Sequence, residues 1–123
     1  ALVCAAAVPA QQRDALIHRL SASGRSVISI DGAQMAAFAG NVLELRGAGG
    51  ARVLAGSCRA LDVLDPQQRE ALTARVDRLV AVPVPTIERL GGGSVRCMLA
   101  EVFLPQAAQI AQAAAGAADG DIT

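Results

Sequence analysis

The order of residues predicts an α/β fold made of about two tandem strand–helix–strand–strand units. Three observations carry that expectation. Short apolar runs alternate with stretches whose apolar residues recur at helical spacing. QQRDAL at 11–16 returns as QQREAL at 67–72, 56 residues further on, with one conservative change. The same offset carries Asn41 onto Cys97, and each follows a glycine-containing loop and begins a predicted strand. Units of this size stack on neighbours because one alone cannot bury its faces. Chance likeness between two Ala-, Leu- and Arg-rich helices is the competing explanation, and the shared loop position weighs against it. The first unit spans 1–46 and the second 51–105. Residues 106–123 form an Ala-rich tail, either one weak helix or disordered.

Each element has a local reason. Residues 1–8 (ALVCAAAV) are apolar without a break, as in a strand covered on both faces. Pro9 suits the first turn of a helix over 9–23. Ala15, Leu16, Ile17 and Leu20 gather on one face of it, with Arg13, Asp14, His18 and Arg19 largely opposite. Gly24 ends it. RSVISI at 25–30 alternates like a half-buried strand. Asp31 caps a short helix running through Phe38. Gly40 breaks that helix, and NVLELR at 41–46 is the next strand. GAGG at 47–50 turns the chain into a strand at 51–56. Past Cys58, Asp65 is the N-cap of a helix from Pro66, with Gln68 at the capping-box position. Leu72, Val76 and Leu79 continue its apolar stripe. A strand at 78–82 follows, then PVP, a helical turn at TIERL and the run Gly91, Gly92, Gly93. SVRCMLAEVFL is the last strand, ending at Pro105.

Composition bounds the function classes. The 123 residues suffice for one domain with a modest core. Apolar residues make up 53% of them, but much of that is Ala, and Phe38 and Phe103 are the only aromatic residues. Large core-filling side chains are scarce, so a neighbouring domain or partner is expected to cover part of the surface. Eleven Arg balance eleven Asp and Glu, with no Lys. A neutral chain this poor in aromatic rings offers nucleic acid neither a field nor a stacking platform. No apolar run reaches the ~20 residues of a membrane span, and the apolar N-terminus lacks the basic flank of a signal peptide. Cys4, Cys58 and Cys97 are odd in number and widely spaced, which points to free thiols in a reducing, cytoplasmic compartment. Without a CxxC pair or a His/Cys cluster no metal site is expected, and no organic cofactor is implied.

AVPVPTIERLGGGSVRCMLAEVFLP, residues 81–105, closely resembles the C-terminal segment of bacterial amidinotransferase-like or citrulline-utilisation hydrolases. These are similar in turn to dimethylarginine dimethylaminohydrolase and arginine deiminase, members of the pentein superfamily. FAGNVLEL at 38–45 also matches, and the likeness runs in order over roughly residues 1–105. The resemblance implies an α/β propeller whose units surround a central channel holding the active site. Two tandem units are what its C-terminal end would supply, so the propeller implied here is incomplete. The resemblance also implies Cys97 as the nucleophile, with Gly91, Gly92, Gly93 and Ser94 as the loop beside the substrate. In the family, the catalytic His and the carboxylates that grip the guanidinium lie upstream of where this sequence begins. The missing N-terminal units would cover the thin core.

A guanidinium carbon is a poor electrophile, because resonance spreads its positive charge, and a soft thiolate is a suitable attacker. Family chemistry expels an amine or ammonia, passes through a covalent thiouronium, and uses water to release a ureido product. The thiol must first lose its proton, and a general acid/base serves the leaving amine and the water. By itself, an isolated Cys in an apolar strand reads as a buried structural thiol, and the family motif reverses that. Three glycines let the backbone approach a ligand or take positive φ angles. Arg96, adjacent in a strand, would face away from Cys97. His18 reads as a solvated helix residue, and LIHRL does not match the family's histidine segment. Asn41 either faces the channel, as Cys97 does in its own unit, or satisfies backbone groups after Gly40. Ser94 offers a hydroxyl near the site. Glu44 and Glu101 read as solvated or salt-bridged strand residues, Cys4 as packing, Cys58 as an exposed loop residue, and Asp31 and Asp65 as caps.

Two functions of different class are in play. One is the C-terminal part of a cysteine-dependent hydrolase acting on guanidino or ureido C–N bonds of arginine-like substrates, inactive or nearly so alone. An amidinotransferase is its variant, in which an amine rather than water reaches the intermediate. The other is a non-catalytic α/β domain that binds or assembles through exposed strands. Open strand edges and uncovered apolar surface favour self-association in either case.

Overall fold

A computed structural model describes residues 1–102. The tail expected at 106–123, and the end of the last strand at 103–105, lie outside the described residues. Strand β1 (Leu2–Val3) pairs in parallel with β2 (Ile28–Ser29). Helix α1 (Ala10–Ala22) makes the crossover between them, and α2 (Gly32–Ala36) follows. Strand β3 (Leu43–Arg46) runs antiparallel to β4 (Arg52–Ser57), joined by the expected turn, whose Gly49 and Gly50 have φ of 71° and 83°. Two helices, α3 (Cys58–Asp62) and α4 (Pro66–Thr73), cross from β4 to the parallel strand β5 (Arg78–Val82). Helix α5 (Pro85–Leu90) comes next.

The succession strand, short helical turn, helix, parallel strand, helix therefore occurs twice. In its first occurrence the short turn is a 3-10 turn at Ala5–Ala7, and in its second it is α3. The fold is mixed α/β, with one sheet of two strands and one of three in the order β3–β4–β5. No helix of the described residues is long and apolar enough to cross a membrane.

Several expected elements are shorter than their apolar patterns suggest. The run at 1–8 is strand only at Leu2–Val3, because the chain closes a 3-10 turn at Ala5–Ala7, where Ala7 N–H reaches Cys4 O at 3.1 Å. Its neighbour 25–30 pairs only at Ile28–Ser29, so there is no longer partner to extend along. The helix expected through Phe38 stops at Ala36, and Phe38 takes a left-handed φ of 66°. Helix α3 was unexpected, although Ser57 caps it by accepting from Ala60 N at 3.0 Å. Cys58 thus opens a helix, half-buried, rather than lying exposed in a loop. Ala15, expected on the apolar face of α1, is exposed, while Leu16, Ile17 and Leu20 are half-buried.

The strand expected from Ser94 onward does not form. Val95–Met98 is a 3-10 turn, and Leu99 beyond it is extended (φ −108°, ψ 133°) without pairing among the described residues. An extended segment becomes strand only when a neighbour accepts its ladder. Glu101, expected in that strand, is exposed and irregular.

The core joins the two occurrences of the motif. Cys4, Ile30, Ala39, Leu61 and Leu64 are buried together, with Leu2, Val42, Leu72 and Leu79 packed around them. A polar joint reinforces it. Asp31 and Asp65 both form complete capping boxes, accepting from Gln34 N at 2.7 Å and Gln68 N at 2.8 Å. The two capping glutamines then bond each other: Gln34 Nε2 donates to Gln68 Oε1 at 2.7 Å, and Gln68 Nε2 to Gln34 Oε1 at 3.1 Å. Gln34 also donates to Val63 O, and Gln68 to Ser29 O, so each carboxamide ties the start of its own helix to the opposite half.

Candidate active site

The loop after α5 is built from residues that only a tight bend needs. Gly91 caps α5, its N–H reaching Ile87 O at 2.7 Å. Gly92 has a φ of 65°, the left-handed region that costs any larger residue. Gly93 lies against the thiol: a Cβ there would sit 3.1 Å from both Cβ and Sγ of Cys97. Ser94 is extended and buried, and the 3-10 turn that follows is closed by Cys97 N–H donating to Ser94 O at 3.0 Å. The Cys97 side chain emerges from this turn exposed to solvent. It is therefore not a structural thiol sealed in a sheet.

Asn41 meets it from the other half of the chain. Its Nδ2 donates to Cys97 Sγ at 3.0 Å, and its Oδ1 accepts from Arg96 N–H at 3.0 Å. The carboxamide thus bridges the thiol and the backbone of the turn that carries it, a contact the sequence reading did not anticipate. Phe38 sets its position, since the left-handed turn there brings Asn41 N–H to Phe38 O at 2.7 Å. The Arg59 guanidinium stacks 5.7 Å from the centroid of the Phe38 ring, closing α3 onto the same turn.

These contacts tune the thiol. The hydrogen bond from Asn41 is the largest influence holding the Cys97 pKa below that of an ordinary cysteine, followed by one from the Ser94 backbone. Partial desolvation opposes them, and the nearby Arg96 charge assists. A thiol that ionises early and faces solvent meets the two requirements of a nucleophilic cysteine.

Ser94 does not offer its hydroxyl to the thiol. It points inward, donating to Glu88 Oε1 at 2.7 Å, and both residues are buried. Glu88 carries no sequence signal: a glutamate in a short helix ordinarily faces water. The contact of Asn41 with Cys97 was not anticipated either, because the repeat offset makes those positions counterparts and not neighbours.

Other candidates stand apart. His18 is exposed on α1 and is not among the hydrogen-bond partners of Cys97. Cys4 is buried in the core. A cavity of about 510 Å³ lies between the two sheets, lined by Arg25, Arg52, Arg75 and Arg96, with Glu44 as a carboxylate, and Cys97 is not on its wall. Glu44 is paired with Arg52 at 2.7 Å, which lowers its pKa. The burial of the Ala1 amine, and then the charges of Arg25 and Arg75, lower its pKa too. The lining is net cationic. Among the described residues no group of three or more His, Cys, Asp or Glu side chains gathers as a metal site.

A family model described as N,N dimethylarginine dimethylhydrolase, eukaryotic, matches residues 1–104. No curated protein and no solved structure matches the chain.

Proposed function

The chain belongs to the N,N dimethylarginine dimethylhydrolase family, and from that premise we propose that it carries the nucleophile of a hydrolase acting on the guanidino C–N bond of a methylated arginine. The observation that carries this reading is the Cys97 thiol, exposed and hydrogen-bonded by Asn41, on a glycine loop whose Gly93 packs directly against it.

The reaction divides into two steps. The Cys97 thiolate attacks the guanidinium carbon, a C–S bond forms, and the C–N bond to the leaving amine breaks as that nitrogen takes up a proton. Water then adds to the thiouronium carbon and loses a proton, the C–S bond breaks, and a ureido product leaves with the thiolate restored. Asn41 stabilises the thiolate at both ends of this cycle. By the family resemblance the proton shuttle and the carboxylates that hold the guanidinium come from residues outside 1–102, so the chain alone is expected to be inactive or nearly so. Exposed Leu90, Met98, Leu99 and Val102 flank Cys97 in the chain and support further protein covering this face. Hydrolysis is preferred to amidino transfer because the family description names a hydrolase.

An electrophilic amidine tests the proposal. Incubation with chloroacetamidine at neutral pH, with adducts located by mass spectrometry, is expected to label Cys97 ahead of half-buried Cys58 and buried Cys4. Equal labelling of the chain and its Cys97→Ala variant would overturn it.

A further inference from the structure

We propose that Glu88 is a positioning residue for the Cys97 nucleophile, acting through Ser94. This deepens the reading of Cys97 as nucleophile and rests on it. Glu88 lies in α5 and is 7% exposed, and Ser94, six residues on, is 0% exposed. A buried carboxylate is costly unless something compensates it. Neither ion pair among the described residues involves Glu88: these join Arg52 to Glu44 and Arg69 to Asp62. Its compensation is the Ser94 hydroxyl, donated to Oε1 at 2.7 Å. A well-packed apolar residue would stabilise this spot at least as well, so the carboxylate's distinctive contribution is the bond itself.

What that bond spans is the reason it matters. Between its two ends run Arg89, Leu90 and the three glycines, a stretch with wide backbone freedom. Pinning Ser94 to α5 removes that freedom at the point where the thiol is set. Ser94 O accepts from Cys97 N–H at 3.0 Å and so closes the 3-10 turn that carries the sulfur. The Ser94 backbone also helps to hold the thiolate. Carboxylate, hydroxyl, backbone and thiol form one continuous chain from α5 to the reacting atom.

The test is the pH profile of Cys97 alkylation by iodoacetamide, resolved by site, in the chain and in Glu88→Ala, Glu88→Gln and Ser94→Ala. Protection of buried Cys4 reports that each variant is folded. Losing one hydrogen bond of ordinary strength allows an effect of about tenfold. Glu88→Ala and Ser94→Ala are each expected to slow Cys97 labelling at neutral pH by about that factor and to move its midpoint upward. A double variant carrying both Glu88→Ala and Ser94→Ala should lose no more than either single one, because both act on one path. Glu88→Gln keeps an oxygen acceptor and should stay within about threefold of the parent. A folded Glu88→Ala with an unchanged or faster rate overturns the proposal, as does a Glu88→Gln as slow as Glu88→Ala. Should Glu88→Ala leave Cys4 unprotected, Ser94→Ala decides, and an unchanged rate there overturns it. A parent chain whose Cys97 reacts no faster than an ordinary thiol defeats the nucleophile reading itself, whatever the variants do.

Discussion

Asn41 and Cys97, 56 residues apart, are in direct contact, Nδ2 to Sγ at 3.0 Å. The donor favours the thiolate, so more of it is present at neutral pH, and it is lost only as pH falls through the lowered value. Removing the donor moves that loss to higher pH. Asn41→Ala is expected to slow alkylation of Cys97 near pH 7 by about three- to tenfold and to raise its midpoint towards the ordinary value of about 8.5. Asn41→Asp should slow it further, because a like charge replaces the donor. Rate–pH profiles of the three proteins check this, and coincident midpoints would refute it.

Two neighbouring glycines should fail in different ways. Ala at Gly93 places a methyl 3.1 Å from Cβ and Sγ of Cys97, and the turn holds that Cβ, so the thiol must shift. Labelling of Cys97 is expected to fall by about tenfold or more, since misplacement of about 1 Å costs reactivity on that scale or beyond. Ala at Gly92 meets nothing within 4 Å but inherits a φ of 65°. That strain costs about 1–2 kcal/mol and should appear chiefly as a lowered melting temperature. Melting curves and labelling rates on both variants separate the two effects.

Gln34→Ala and Gln68→Ala each remove half of a capping box and the bonds to the opposite half. Each is expected to destabilise by about 1–3 kcal/mol. The double variant should cost less than the two together, with a coupling of about 0.5–3 kcal/mol as for groups in direct contact. Urea unfolding of the four proteins measures this, and strict additivity would show the joint to be inert.

Leu61 is 1% exposed at the centre of the core, so Leu61→Ala is expected to cost about 2–5 kcal/mol. In a core this small that is a large share of a stability of about 5 kcal/mol at the lower end for domains, and melting followed by circular dichroism should show a clearly lowered midpoint. Leu90→Ala, at a residue 74% exposed, should stay within about 0.5 kcal/mol of the parent.

What could be read in advance was what local chemistry decides. Asp31 and Asp65 each precede a glutamine by three residues, and both boxes form because every atom involved lies within one helical turn. GAGG makes its turn through backbone freedom at Gly49 and Gly50. Residues 94–102 could not be read this way. Their apolar pattern suits a strand, but a strand exists only if another backbone accepts its hydrogen bonds, and none pairs with it among the described residues. Glu88 was opaque because its burial depends on a serine beyond a bend of three glycines. The repeat offset marked Asn41 and Cys97 as counterparts, and it took the packing of one half on the other to make them neighbours.

The glutamine joint has a consequence for the working range of the molecule. Carboxamides carry no charge in acid or alkali, and salt does not screen a bond between neutral groups as it screens the exposed pair of Arg52 with Glu44. Acid therefore acts on the sulfur and on carboxylate contacts, but not on the bonds between these two carboxamides.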